Sequence, residues 1–385
     1  MLNTATPPGQ FADGKRHAWL LSVLMPVLIG SGPLVALLTG HKGWLWAPIV
    51  FVYLVGPLLD TVLGEDRSNP RESEVPRLEA DAYYRLIPLA LVPVIWVMIA
   101  FSAWYFCSEP LTSAQRLAVI LSTGMICGLG INVGHELGHK GSRLDRLFAF
   151  LALLPSGYAH FGIEHNKGHH RDVATPEDCA SARMGESLYG FCWREMPGGY
   201  RRAWQLERSR LAKRGLGVWS VHNTILVGAA STLSLWALLA SWLGPLVLSF
   251  LLLVSLWGNF QLTIANYVEH YGLLRRKDAL GVYERCTPAH SWNSNQLFSN
   301  WALFHLQRHA DHHAHPGRRY QSLRHFADSP QLPNGYFVMF MCSYVPPLWR
   351  WVMDKRLATM VKGDPSAVNF DPASRAQLIG RYFSG

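Results

Sequence analysis

Between Gly215 and Val268 the chain carries no Asp, Glu, Lys or Arg. A helix rises about 1.5 Å per residue and the hydrocarbon core of a bilayer is about 30 Å thick, so roughly 20 apolar residues cross it. This run is long enough to cross twice, with Gly244 and Pro245 marking the turn. Shorter uncharged runs cover residues 18–39, 43–59, 86–107 and 117–134, each bounded by polar or charged residues. The run from Leu147 to Ala159 is too short to cross and reads as an interfacial or buried helix. Six spans are expected, at about 18–39, 43–63, 86–107, 117–138, 217–243 and 246–268. Backbone groups in hydrocarbon must be satisfied within their own segment, so the expected fold is all-α, a polytopic membrane protein. Charged residues make up 16% of the chain, against about 25% in ordinary soluble domains. The first apolar segment is long and lacks an A-x-A-like cleavage site, so no removable signal peptide is expected.

Lys and Arg set the orientation. Residues 140–214 carry many of them, including Arg201, Arg202, Lys213 and Arg214. The segment after His270 carries more, including Arg275, Arg276, Lys277, Arg318 and Arg319, whereas the opposite side offers only Lys42 and Arg116. The positive-inside rule then places both termini, the 64–85 loop and a histidine-rich helical cap in the cytoplasm. The net charge of +9 is concentrated on that face. Contact with anionic lipid accounts for it in one reading, and docking of an acidic soluble partner in another; no nucleic-acid partner is expected. Residues 1–17, with Pro7, Pro8 and Gly9, read as a flexible cytoplasmic arm, 18–347 as the membrane-embedded domain and 348–385 as a cytoplasmic extension.

Histidines gather at the polar ends of these runs. His135 and His139 lie in GHELGHK, His165, His169 and His170 in EHNKGHH, His309, His312 and His313 in LQRHADHHAH, and His270 in NYVEHYG. Helical residues three or four apart share one face at about 5–6 Å, so each cluster presents imidazoles to one small volume. Nine such ligands are too many for one tetrahedral site and enough for two metals. Imidazole without thiolate suits iron, copper, zinc or nickel. Adjacent His169 and His170 point about 100° apart, which suits them to different metals. His135 to His139 also fits H-E-x-x-H, the zinc-protease pattern, but that reading leaves the other clusters unused. A satisfied polar helix end is the plainer alternative, and a costly one beneath a membrane span.

Glu136, Glu164, Asp172, Asp178, Glu269 and Asp311 sit beside the clusters. Ligating imidazoles usually donate their second N–H to such groups, and Glu269, next to His270, is the one placed to approach a metal itself. His160, His305 and His315 read as supporting or gating groups, and His17, His41, His222, His290 and His325 as structural. The six cysteines are scattered with no C-x-x-C pair, so no iron–sulfur cluster is encoded and electrons must come from elsewhere. Cys107 and Cys127 read as small apolar packing residues.

The strings GHELGHK, EHNKGHH, NYVEHYGLLR and LQRHADHHAHPGRRYQSLR, with LLDTVLGED near the second span, resemble the integral-membrane alkane monooxygenases of the AlkB type. The likeness runs from about Pro57 to Pro347; Ala310 stands where that family often has serine. The wider superfamily of histidine-box membrane desaturases and hydroxylases shares only the looser spacing. The resemblance implies a non-haem diiron enzyme of the bacterial inner membrane. It would take O2, two electrons from reduced rubredoxin (itself served by a rubredoxin reductase) and a medium-chain alkane, and release the 1-alkanol. The nine histidines divide as four on one iron, His135, His139, His165 and His309, and five on the other, His169, His170, His270, His312 and His313. An apolar slot between the spans would carry the alkane, with Phe51, Tyr53, Leu58 and Leu59 as candidates for its wall. A fatty-acyl desaturase or another histidine-box diiron oxidase, and after them a zinc intramembrane protease or metal transporter, remain the alternatives, separable by product and by metal.

Overall fold

A computed structural model describes residues 13–384. Among them the regular elements are helices, joined by a few isolated β-bridges. The first expected span is a broken one: α1 (Leu20–Ile29) and α2 (Ser31–Thr39) meet at a bend of 51°. Gly30 sits at the bend, where an added Cβ would come within 2.4 Å of the Met98 side chain. The second span, α3, covers Lys42–Leu63. It contains a wide turn over Phe51–Val55. Pro57 cannot donate to the carbonyl four residues back and its ring crowds that carbonyl; the wide turn just before it absorbs the conflict.

Four long helices complete the membrane part: α4 (Ala82–Ser108), α5 (Ser113–Gly138), then, beyond a helical cap segment, Thr224–Leu243 and Leu246–His270. Their starts are chemically marked. Asp81 accepts from the Tyr83 amide at 2.9 Å, Thr112 and Gln115 form a reciprocal capping box, and Asn223 accepts from the amides of Ile225 and Leu226; each satisfies N–H groups that have no intrahelical partner. The fifth span therefore begins at Thr224 rather than near 217, and Gly244, at φ 83°, makes the turn to the sixth.

Helix α5 is the axis of the bundle and is mostly buried, while Thr224–Leu243 lies at the periphery with most of its surface uncovered. The crossing of α5 with Leu246–His270 is tight because glycines line it. A Cβ on Gly258 would fall 2.6 Å from that of Cys127, and one on Gly124 would collide with Trp257. Small residues let helix backbones approach closely in lipid, and this approach holds the lower end of α5, with His135, near His270.

The cap starts with α6 (Arg143–Leu153), which lies against α5 where Leu153 meets Gly134. The short apolar run expected at 147–159 is thus a packed helix ending at Leu153 followed by a turn. Residues 161–172 form α7, helical throughout with a second wide turn at His165–His169. Next come α8 (Leu188–Ala212), α9 and α10 (the fifth and sixth spans), α11 (His309–Ala314), α12 (Tyr336–Ser343), α13 (Pro346–Met360) and α14 (Arg375–Tyr382).

Two expected boundaries change. Residues 1–12 of the expected arm lie outside the described residues, but its end is held: Asp13 accepts from Trp19 Nε1 at 3.1 Å and from the Tyr84 hydroxyl at 2.8 Å. The segment 348–385 is no separate extension. Trp349, Met353 and Leu357 of α13 are fully buried in one core with Tyr267 and Tyr271. A polar average conceals that one face.

Candidate metal centre

All nine expected histidines converge beneath the spans in two groups. One nitrogen each from His135, His139, His165, His170 and His312 lie within 4.8 Å of one another, as do those of His169, His270, His309 and His313. The expected division is corrected at three positions. His170 and His312 join the five, and His309 joins the four. The wide turn at His165–His169 brings His170 beneath His165, Nε2 to Nε2 at 3.0 Å, and turns His169 to the other group. On α11, His309 and His313 share a face at i, i+4 with Nε2 atoms 2.8 Å apart, while His312 points to His135 at 2.8 Å. The separation of adjacent His169 and His170 is as their 100° offset requires.

These contacts describe more than a hydrogen-bonded cluster. A neutral imidazole nitrogen bears one hydrogen or one lone pair, so it enters at most one hydrogen bond. His312 Nε2 has two such neighbours, His135 at 2.8 Å and His170 at 3.1 Å; His165 Nε2 also has two, His170 at 3.0 Å and His139 at 3.1 Å. His309 Nε2 faces both His270 and His313, at 3.1 and 2.8 Å. His169 Nε2 is buried with no hydrogen-bond partner among the described residues. A cation at the middle of each group satisfies all these lone pairs together, so the donor sets fit metal ions. Burial first, and then the charge each would carry beside its neighbours, hold His139, His165, His309, His312 and His313 well below the ordinary histidine pKa. They are neutral, the form that binds metal. The four-member group is wholly buried, whereas His139 and His170 of the five-member group are half-buried.

The carboxylates divide by partner. Asp178 Oδ2 lies 2.9 Å from His169 Nδ1. Glu269 Oε2 approaches His309 Nε2 at 3.3 Å while its other oxygen accepts from the Tyr336 hydroxyl at 2.8 Å. The others face elsewhere: Glu136 pairs with Lys140 at 3.1 Å, Glu164 lies 3.9 Å from Arg202, Asp172 pairs with Arg171 and Arg202, and Asp311 binds His315 and Arg318, both at 2.8 Å. His270 Nδ1 points at the His290 carbonyl, 3.4 Å away. Ala310 costs the site nothing visible, since its amide donates to Asn293 Oδ1 at 2.8 Å.

An apolar channel reaches the histidines from the bundle, lined by Met25, Ile29, Val52, Tyr53, Met125 and Leu129 and ending at His135, His165, Glu269 and His309. Of the four expected wall residues only Tyr53 lines it. Phe51 packs edge-on against Phe298, Leu58 is 59% exposed on the outer face and Leu59 packs into the core. The wide turn in α3 adds a residue to one turn and so rotates every face after it. Sequence reasoning also missed Glu195, a buried carboxylate whose only signal is a charge within an otherwise mixed helix.

A multi-span helical bundle capped by two convergent histidine groups defines a histidine-lined membrane metalloprotein. The fatty acid desaturase family matches residues 112–343, which include all nine histidines. Alkane 1-monooxygenase 1 of Alcanivorax borkumensis is 49% identical over 95% of this chain and 90% of its own length. The alkane 1-monooxygenases of Pseudomonas putida and Ectopseudomonas oleovorans are 46% and 45% identical, each over 97% of this chain and 93% of theirs. The chain belongs to the alkane 1-monooxygenase family.

Proposed function

We propose that the protein hydroxylates the terminal methyl of medium-chain n-alkanes to 1-alkanols, using O2 and two electrons from reduced rubredoxin at a non-haem diiron centre. The observation that carries the reading is the apolar channel running to both histidine groups. An alkane gains about 0.8 kcal/mol per CH₂ on leaving water, so the substrate arrives from the bilayer and a narrow apolar channel presents its end first. The five-member group holds one iron and the four-member group the other, with Glu269 beside the second. Bound there, iron supplies oxygen activation and removal of a methyl hydrogen. The chain's own residues do the rest: the channel wall orients the alkane and excludes water, Asp178 fixes the His169 ring, and Tyr336 fixes Glu269.

The Lys and Arg distribution supports a cytoplasmic cap in an inner membrane, with rubredoxin, regenerated by a rubredoxin reductase, docking there. Purified protein assayed for metal and given rubredoxin, its reductase and octane should contain about two irons per chain and release 1-octanol. Zinc in place of iron, or a double bond in the product, would overturn the reading.

A further inference from the structure

Insertion of one oxygen atom into a C–H bond balances as RH + O₂ + 2 e⁻ + 2 H⁺ → ROH + H₂O. Two protons must therefore reach a centre whose substrate channel is apolar. A second, smaller cavity, with room for about one water, lies on the far side of Phe161, His165 and Asn266, which line both spaces. It touches one histidine of each group, His165 and His169, and its remaining polar wall is Tyr158, His160, Glu164, Glu195 and Asn266.

Glu195 on α8 is 4% exposed. Its Oε2 accepts from the Thr263 hydroxyl at 2.8 Å and its Oε1 from the Asn266 amide at 3.2 Å. No cation pairs with it among the described residues. Arg194, next in the chain, is turned to Glu186 at 2.8 Å and to the Cys179 and Ser181 carbonyls. The titratable and charged groups around it are Glu164, Asp178, Arg194, Tyr158, Cys179 and Cys192. A buried carboxylate without a cation is more stable as the acid, and burial raises the Glu195 pKa. At the outer end of the cavity His160 is half-buried and meets the ring of Tyr200 at 5.1 Å, itself 47% exposed.

We propose that Glu195 is the proton-relay residue of the reaction, passing protons through water in the small cavity to the side of the metal centre between His165 and His169 and regaining them from solvent at His160. The assignment rests on the oxygenase reading above. Each turnover draws two protons through Glu195 in succession, both leaving in the water released while the hydrogen taken from the methyl group returns in the alcohol hydroxyl, and Glu195 is restored to the acid form each time.

Glu195→Gln keeps the shape and removes the proton. It should retain wild-type iron content and slow octane hydroxylation at least tenfold, with oxygen consumed in excess of alcohol formed. In the infrared spectrum of the resting holoenzyme, a deuterium-sensitive carboxylic-acid carbonyl band should be present and should vanish in this variant. Full iron with wild-type turnover and coupling in Glu195→Gln, or no such band in the wild type, would overturn the assignment. Should Glu195→Gln not fold, His160→Phe serves: deuterium exchange into the band should slow and turnover should fall, and unchanged exchange would refute the route. The band is read without alkane or donor, so its fate is separate from that of the octane assay.

Discussion

His169 takes its orientation from Asp178, which is itself held by the Ser181 hydroxyl at 2.6 Å and the Ala180 amide at 3.2 Å. Burial opposes the charged imidazole, but the adjacent carboxylate outweighs it and raises the His169 pKa, unlike those of its neighbours. Asp178→Asn preserves the packing and replaces an acceptor by an amide that can present its N–H₂ to the ring. Partners of this kind typically contribute 10–100-fold to metal affinity or activity. Iron per chain and octanol formation should therefore fall within about that range, whereas equal iron and turnover would reduce Asp178 to a spacer. The nine histidines were readable because their spacing is local, and Asp178 because it follows a cluster closely. Glu195 was not, since a single carboxylate in a helix rich in Arg looks like an exposed charge until Thr263 and Asn266 of another helix are placed against it.

Two helices depart from regular geometry where the site depends on them. The wide turn in α7 divides His165, His169 and His170 between the groups, and the one in α3 aims Tyr53 at the channel and Leu58 away from it. Apolar runs and capping residues mark where helices begin and end, which is why the spans were legible. A turn of one extra residue leaves almost no mark in composition, which is why the division of ligands and three of the four wall residues were not. The consequence is testable on alkanes of increasing length. Tyr53→Ala should extend the accepted chain by a few carbons or shift the optimum upward, while Leu58→Ala should leave the length profile as it is. An unchanged profile in folded Tyr53→Ala would place the end of the channel elsewhere.

The charge of the whole molecule is less available than the sequence suggests. Arg202 is engaged by Asp172, Glu164 and Asp178, Arg318 by Asp311 and Glu72, and Arg319 by Asp145. Arg201 and Lys167 are exposed. With limiting rubredoxin, rates should fall as salt shortens the Debye length from about 30 Å to about 8 Å. Arg201→Glu should raise the KM for rubredoxin and spare turnover driven by a small reductant, whereas Arg202→Glu should damage the fold; salt-independent rates would argue against electrostatic docking. Both histidine groups also draw on α11, with His135 and His312 meeting across 177 residues of chain. During synthesis, then, neither group is complete until the chain has been made as far as His312 and His313. Before α11 is added, all six spans and six of the nine histidines are already made but neither group is complete, so metal insertion follows the synthesis of the last span.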